Sequence, residues 1–356
     1  KSAALYCETL EKEGFQVQKG IAGIETAFCA SFGSGRPVIG ILAEYDALSG
    51  LSQKSGSLKQ EEIVAGGNGH GCGHNLLGAG AMAAAIGVKA FLEETKCPGT
   101  VILYGCPGEE GGAAKAFMAR DGVWKDLDAA LTWHPHDSNE VVTGSSNSCI
   151  QVQYKFTGKA SHASGAPEKG RSALDAVELM NIGVQFLREH MSDRARIHYA
   201  ITDAGGVSPN VVQPKASVLY MVRSNHVAEA VELQARVDKI AEGAALMTET
   251  SYERKFIDGC ADTVTNHVLE SVMYENFELV GVPAYTEEEL CYADALAKTY
   301  SGSDNVPGIG AANDTGIHMQ VAKLRQDFGH SMNQFLLPQY QGDAFEPGST
   351  DVGDVS

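Results

Sequence analysis

The stretch "GHGCGHN" (69–75) sets His70, Cys72 and His74 at i, i+2 and i+4 among glycines. In a looped or extended backbone these side chains can converge on one point. A thiol and imidazoles at that spacing suit a borderline-soft divalent metal, zinc first. Taken alone, the same residues also read as a glycine-rich loop with a buried cysteine and surface histidines. A second stretch, "PGEEGG" (107–112), places Glu109 and Glu110 side by side. In a turn, one carboxylate can face a metal while its neighbour faces a water. That division of labour suits metal-assisted hydrolysis. The metal lowers the pKa of the water towards about 7, and the free carboxylate takes its proton. The competing reading is an acidic turn at a helix N-terminus, where carboxylates are favoured.

Such groups act together only if the backbone delivers them to one place. "RPVIGILAEYDAL" (36–48) begins as a continuous apolar run, the pattern of a strand buried on both faces. "NLLGAGAMAAAIGVKAFLEETK" (75–96) reads as a helix apolar over much of its circumference, hence expected to be well buried. "GTVILYGCP" (99–107) is a further buried strand, "AAKAFMARDGV" (113–123) a helix and "LDAALTW" (127–133) a short strand. Alternating strands and helices predict an α/β layer architecture with a largely parallel sheet. The first strand runs into Glu44 and Asp46, the second into Glu109 and Glu110, the third into His134 and His136. Ligands in open α/β sheets bind at the carboxyl ends of strands. Three strand ends bearing carboxylates or imidazoles, beside "GHGCGH", therefore make a metal-site constellation. Cys106 reads as a buried strand residue, and His70 and His136 as solvated or as partners of the ligands.

The texture changes after residue 147. "SCIQVQYKFTG" (148–158) alternates polar and apolar residues, as a half-exposed strand does. An amphipathic helix (172–191), two strands (196–206 and 215–225), a second amphipathic helix (227–249) and a strand (251–260) follow. This βαββαβ order is the ferredoxin-like plan. Residues 148–261 are therefore expected to form a domain inserted into a first one made of 1–147 and 262–356. Within the insert, "GKASHAS" (158–164) puts His162 in a small-residue loop, where a solvated histidine is the plain alternative to a ligand contact. "GGVSPNVVQP" (205–214) carries Asn210, a hydrogen-bond donor in what otherwise reads as a strand connection. Arg223, in a strand, could clamp a carboxylate or form a surface ion pair.

At 356 residues, 44% apolar and 20% charged, the chain has the composition of an ordinary soluble protein of two domains. Its formal charge of -18 argues against nucleic acid and anionic membranes as partners. No run of about 18 apolar residues is free of charge, so no transmembrane helix is expected. The eight cysteines are scattered without a framework and read as reduced thiols of a cytoplasmic protein.

"AEYDAL", "GHGCGHN", "PGEEGG", "TWHP", "GKASHAS", "GGVSPNVVQP" and "GSTDVGDVS" occur in this order along the whole chain. Together they resemble the amidohydrolase branch of the aminoacylase and carboxypeptidase G-type metallopeptidases (clan MH). The resemblance implies a catalytic domain with two divalent ions, zinc before manganese or cobalt, and an inserted lid domain that dimerises. It implies Cys72, His74, Glu110 and His134 as metal ligands, Glu109 as general base and Asp46 as the aspartate that orients a ligand. His162, Asn210 and Arg223 match lid residues that meet substrate, often across the dimer, with His162 also stabilising the oxyanion. Many members carry a metal-binding histidine where this chain has Glu44, and Cys72 then compensates from the loop. The family pattern supplies a last histidine ligand downstream of a motif like "GSTDVGDVS", so a segment beyond Ser356 is expected. The implied activity is hydrolysis of an N-acyl amino acid of the p-aminobenzoyl-glutamate type, with a dipeptide or another N-acyl amino acid as alternative. A non-catalytic component of a hydrolase complex, working with a paralogous partner, is the competing class. The intact Glu109–Glu110 pair argues against it.

Overall fold

Glycine- and proline-bounded apolar runs become the strands that carry the candidate residues. A computed structural model describes residues 1–300, 315–342 and 344–356. Residues 301–314 and 343, within the 262–356 segment assigned above, lie outside the described residues. The chain forms two compact units, one of residues 1–145, 264–346 and 355–356, the other of 146–263 and 347–354.

The first unit opens with α1 (Ser2–Lys12), β1 (Gln16–Lys19), β2 (Phe28–Ser34) and β3 (Val38–Glu44). Then come α2 (His74–Thr95), β4 (Gly99–Cys106), α3 (Glu109–Gly112), α4 (Ala114–Arg120), β5 (Ala129–Leu131) and the two-residue β6 (Ser145–Ser146). The sheet order is β1-β2-β4-β3-β5. β3 runs parallel to both β4 and β5, whereas β2 is antiparallel to β4 and to β1. The sheet is therefore mixed, which corrects the expectation of a largely parallel one. β1 and β2 are short and mix polar with apolar residues, so they lack the continuous apolar run that announced β3 and β4. Alternate residues of the sheet feed two cores. Ile41, Ala43, Val101 and Leu103 pack with Leu10 and Ala81 on one face, and Leu42, Tyr104, Cys106 and Met118 on the other.

α2 packs on β3 and β4. It buries His74, Leu77, Gly78, Ala81 and Ala85, a stripe at i, i+3, i+4, i+7 and i+11, and leaves Leu76 and Phe91 exposed. Burial all round, expected from its composition, is thus corrected to burial of one stripe. By length and composition alone α2 could cross a membrane. Its stripe instead serves as core. Gly78 lets this helix lie close to β3, since a Cβ there would come 2.5 Å from the Glu44 carbonyl oxygen and 2.4 Å from Tyr6 Oη.

In the second unit, β7 (Ser148–Thr157), α5 (Ala173–Arg188), β8 (Arg196–Asp203), β9 (Lys215–Ser224), α6 (Val227–Thr248) and β10 (Ser251–Cys260) follow one another. Their order in the sheet is β10-β7-β9-β8, antiparallel throughout. This is the ferredoxin-like arrangement. Ser172 caps α5 by accepting the Asp175 N–H at 3.0 Å. Val152, Tyr154, Val218 and Tyr220 of the sheet pack with Val177, Met180 and Val184 of α5 and Val237 and Ala241 of α6. The remaining elements are α7 (His267–Val280), α8 (Glu287–Ala297), α9 (Thr315–Phe328) and the short β11 (Phe345–Glu346). α8 opens with a capping box between Thr286 and Glu289.

Candidate metal centre

Because β3, β4 and β5 are parallel neighbours, their carboxyl ends share one edge of the sheet. Glu44 ends β3, Glu109 and Glu110 follow β4, and His134 follows β5. His74, the first residue of α2, arrives at the same edge. Gly73 precedes it with φ +80°, a left-handed conformation that turns the chain between Cys72 and His74. Ala113, also left-handed at φ 44°, separates the single turn carrying the two glutamates from α4.

The donor atoms of Cys72, His74 and His134 all lie within 4.8 Å of one another. Cys72 Sγ is 3.4 Å from His134 Nε2. The two imidazoles meet edge to face, with centroids 5.5 Å apart. Each imidazole is oriented through its other nitrogen. His134 Nδ1–H donates to the Pro135 carbonyl at 2.8 Å, and His74 Nδ1–H donates to Asp46 Oδ1 at 3.0 Å. The Nε2 lone pairs are then left for a ligand role. The other Asp46 oxygen accepts the Glu110 backbone N–H at 3.0 Å. Asp46 therefore ties the end of β3 to both the α2 histidine and the glutamate turn. Glu110 accepts a hydrogen bond from the Cys72 thiol. Burial pushes that thiol up to about 12, and Glu110, Glu109 and Glu44 add to the rise. A cation at the sulfur acts in the opposite sense and favours the thiolate.

A second set, Glu44, His74 and Glu109, is equally close. Sequence reasoning placed neither Glu44 nor Glu109 among the ligands. His74 Nε2 and Glu44 Oε2 are 3.1 Å apart, fully buried, and neither has a hydrogen-bond partner. With the His74 proton on Nδ1, two lone pairs face each other in a dry site, a costly arrangement. A divalent cation between them removes the conflict, so the residues present fit the implied metal. Lys115 on α4 was also missed. It is fully buried and donates to Glu44 Oε1 at 2.6 Å. The signal was available in part, because Lys115 and Met118 lie three residues apart on the core-facing side of that helix.

His70 is exposed, and His136 is an exposed residue paired with Asp137. His162, Asn210 and Arg223 belong to the second unit. The loops of the first two are joined: Ala163 N–H donates to the Asn210 carbonyl at 2.9 Å, and His162 bridges to Val211. His162 Nδ1 accepts the backbone N–H groups of Ser164 (3.2 Å) and Gly165 (2.9 Å), so its proton sits on the exposed Nε2. Arg223 lies toward the far end of β9, eight residues beyond Lys215, or about 26 Å along the strand. There it donates to Ser349 at 2.9 Å.

Residues 40–293 match the model of peptidase family M20/M25/M40. The chain belongs to this family. It is an M20 hydrolase, 47% identical over all 356 residues to a p-aminobenzoyl-glutamate hydrolase subunit of Escherichia coli (strain K12), of which it spans 74%. It is 30% identical over 304 residues to the Xaa-Arg dipeptidase of Mus musculus, covering 81% of this chain and 65% of that one. Among solved M20-like folds, an aminobenzoyl-glutamate utilization protein from Klebsiella pneumoniae superposes with a TM-score of 0.58 at 18% identity, covering 84% of this chain and 83% of that one. A dinuclear metal binding M20 peptidase from Bacillus subtilis gives 0.54 at 19% identity, covering 80% and 75%. These two likenesses concern the fold, a mixed-sheet α/β unit with a separate antiparallel four-stranded sheet.

Proposed function

We propose that this M20 hydrolase cleaves the amide bond of p-aminobenzoyl-glutamate or a close N-acyl-glutamate. The 47% identity over the whole chain carries the choice of substrate. Convergence of Cys72, His74 and His134 beside the two glutamates supports the chemistry. Two divalent ions, zinc first, are held by Cys72, His74, Glu110 and His134. When bound, they supply a water of lowered pKa and an electrophile for the scissile carbonyl. Glu109 takes the proton of the attacking water and returns it to the leaving amine nitrogen. His162 offers Nε2–H to the oxygen that gains charge, and Asn210 and Arg223 hold substrate polar groups. Asp46 keeps His74 in the Nδ1–H tautomer.

In this reading, residues 1–147 and 262–356 form the catalytic domain and 148–261 the lid. The lid pairs two copies of the chain in the cytoplasm, or one copy with a paralogous chain of the same family. A protein of that kind exists in Haemophilus influenzae, a homologue of a p-aminobenzoyl-glutamate hydrolase component, 26% identical over 200 residues. Hydrolysis of a dipeptide is the second reading, favoured by the dipeptidase similarity. The deciding experiment is a hydrolysis screen with zinc-loaded protein against p-aminobenzoyl-glutamate, other N-acyl amino acids and Xaa-Arg dipeptides. Fastest turnover of p-aminobenzoyl-glutamate is expected. Preference for the dipeptides moves the assignment to the second reading, and no turnover of any amide by metal-loaded protein supports a non-catalytic role in a complex.

A further inference from the structure

A lysine with no exposed surface needs an explanation. Removing an ammonium from water costs several kcal/mol unless it is paired. Lys115 finds Glu44 Oε1 at 2.6 Å, and Glu44 is itself buried at the end of β3. One oxygen of that carboxylate is thus taken by the ammonium. The other, Oε2, stands 3.1 Å from His74 Nε2 with no hydrogen bond. A surface ion pair would leave both oxygens to water. Here the pairing is one-sided and the remaining donor atom is turned onto an imidazole nitrogen in the same state. His74 is fixed from its far side by Asp46 at 3.0 Å. Lys115–Glu44 and Asp46–His74 are therefore two arms that aim one oxygen and one nitrogen at a common point.

We propose that Lys115 is a positioning residue of the metal centre: its buried ammonium holds Glu44 so that Oε2 and His74 Nε2 together face one divalent ion. This rests on the metal-centre reading above. Lys115 does not touch substrate or the ion in this account. It acts through Glu44, and it offsets the negative charge that Glu44 would otherwise bring uncompensated into the core. Its place also follows from the chain. Ala113, left-handed, ends the glutamate turn and starts α4, so Lys115 comes five residues after Glu110 on a separately directed helix.

The test is zinc affinity, measured on chelator-stripped full chain by competition with a chromophoric chelator, alongside thermal melts. Lys115→Met is expected to weaken zinc binding at least tenfold. Lys115→Arg, which keeps the cation, should recover part of the loss. Glu44→Gln should also weaken binding. The double variant Lys115→Met/Glu44→Gln should bind zinc no more weakly than Glu44→Gln alone, because the lysine acts only through that carboxylate. A Lys115→Met protein within threefold of wild type overturns the proposal, as does a double variant showing the product of the two single losses. If Lys115→Met does not fold, the double variant, which buries no lone charge, decides against Glu44→Gln: equal affinity supports the proposal, a further tenfold loss defeats it. Cys72→Ser is the control for the underlying reading. If it leaves zinc affinity intact, the metal centre itself is misplaced; if it weakens zinc while the lysine variants do not, only the role of Lys115 fails.

Discussion

Asp46 Oδ1 lies 3.0 Å from His74 Nδ1, and through this contact the end of β3 sets the tautomer of the first residue of α2. Losing such an outer partner typically costs about 10–100-fold in metal affinity or activity. Asp46→Ala is expected to weaken zinc binding by that order while circular dichroism remains that of the parent. Unchanged affinity by chelator competition would show that packing alone orients His74.

Cys72→Ala and His74→Ala should each lower bound metal as well as turnover, since each removes a donor from the convergent set. Elemental analysis of the purified variants checks this. Full metal stoichiometry in both would mean that the ligands have been misassigned.

The adjacent glutamates should separate. Glu110, hydrogen-bonded by the Cys72 thiol, is assigned to metal, so Glu110→Gln should lose metal and activity together. Glu109→Gln should keep its metal and lose turnover by about 10²–10⁴-fold or more, because the amide cannot accept the proton of the water. Kinetics and metal analysis run in parallel decide it, and a Glu109→Gln enzyme within tenfold of wild type ends the mechanism.

Gly78→Ala adds a Cβ 2.5 Å from the Glu44 carbonyl oxygen, and that backbone cannot move without shifting β3. Overpacking of this kind costs about 1–3 kcal/mol. A lowered Tm, together with weaker metal binding as α2 lifts away from Glu44, is the expected outcome.

Asp294 on α8 accepts the Ser331 N–H at 2.7 Å and pairs with His330 at 2.9 Å. The Ser331 backbone bond, then the His330 bond, hold its carboxyl down at about 2. A depressed carboxylate contributes stability above its unfolded pKa of about 3.9, and that contribution is lost as pH falls towards 2. Asp294→Asn should therefore melt lower than the parent at pH 7, with the gap closing below pH 4. A constant gap down to pH 2 would exclude the ionised pair as its source.

Much of the chemistry was legible in the residues because it is carried by local signals. An apolar run ending in Glu44 and Asp46, a pair of glutamates after another such run, and "GHGCGHN" all announce themselves within a few positions. So does the ferredoxin-like unit, whose strands and helices each show a clear period of two or of 3.6. What was not legible depends on contacts between distant segments. β1 and β2 carry weak patterns, and only pairing with β4 makes them strands and the sheet mixed. Exposure of one side of α2 is set by what packs against it, not by its composition. Glu44 and Lys115 are 71 positions apart and give no joint signal. Only the fold brings an ammonium to one oxygen of a carboxylate and an imidazole to the other, because a charge is tolerated in a core only where tertiary packing supplies its partner.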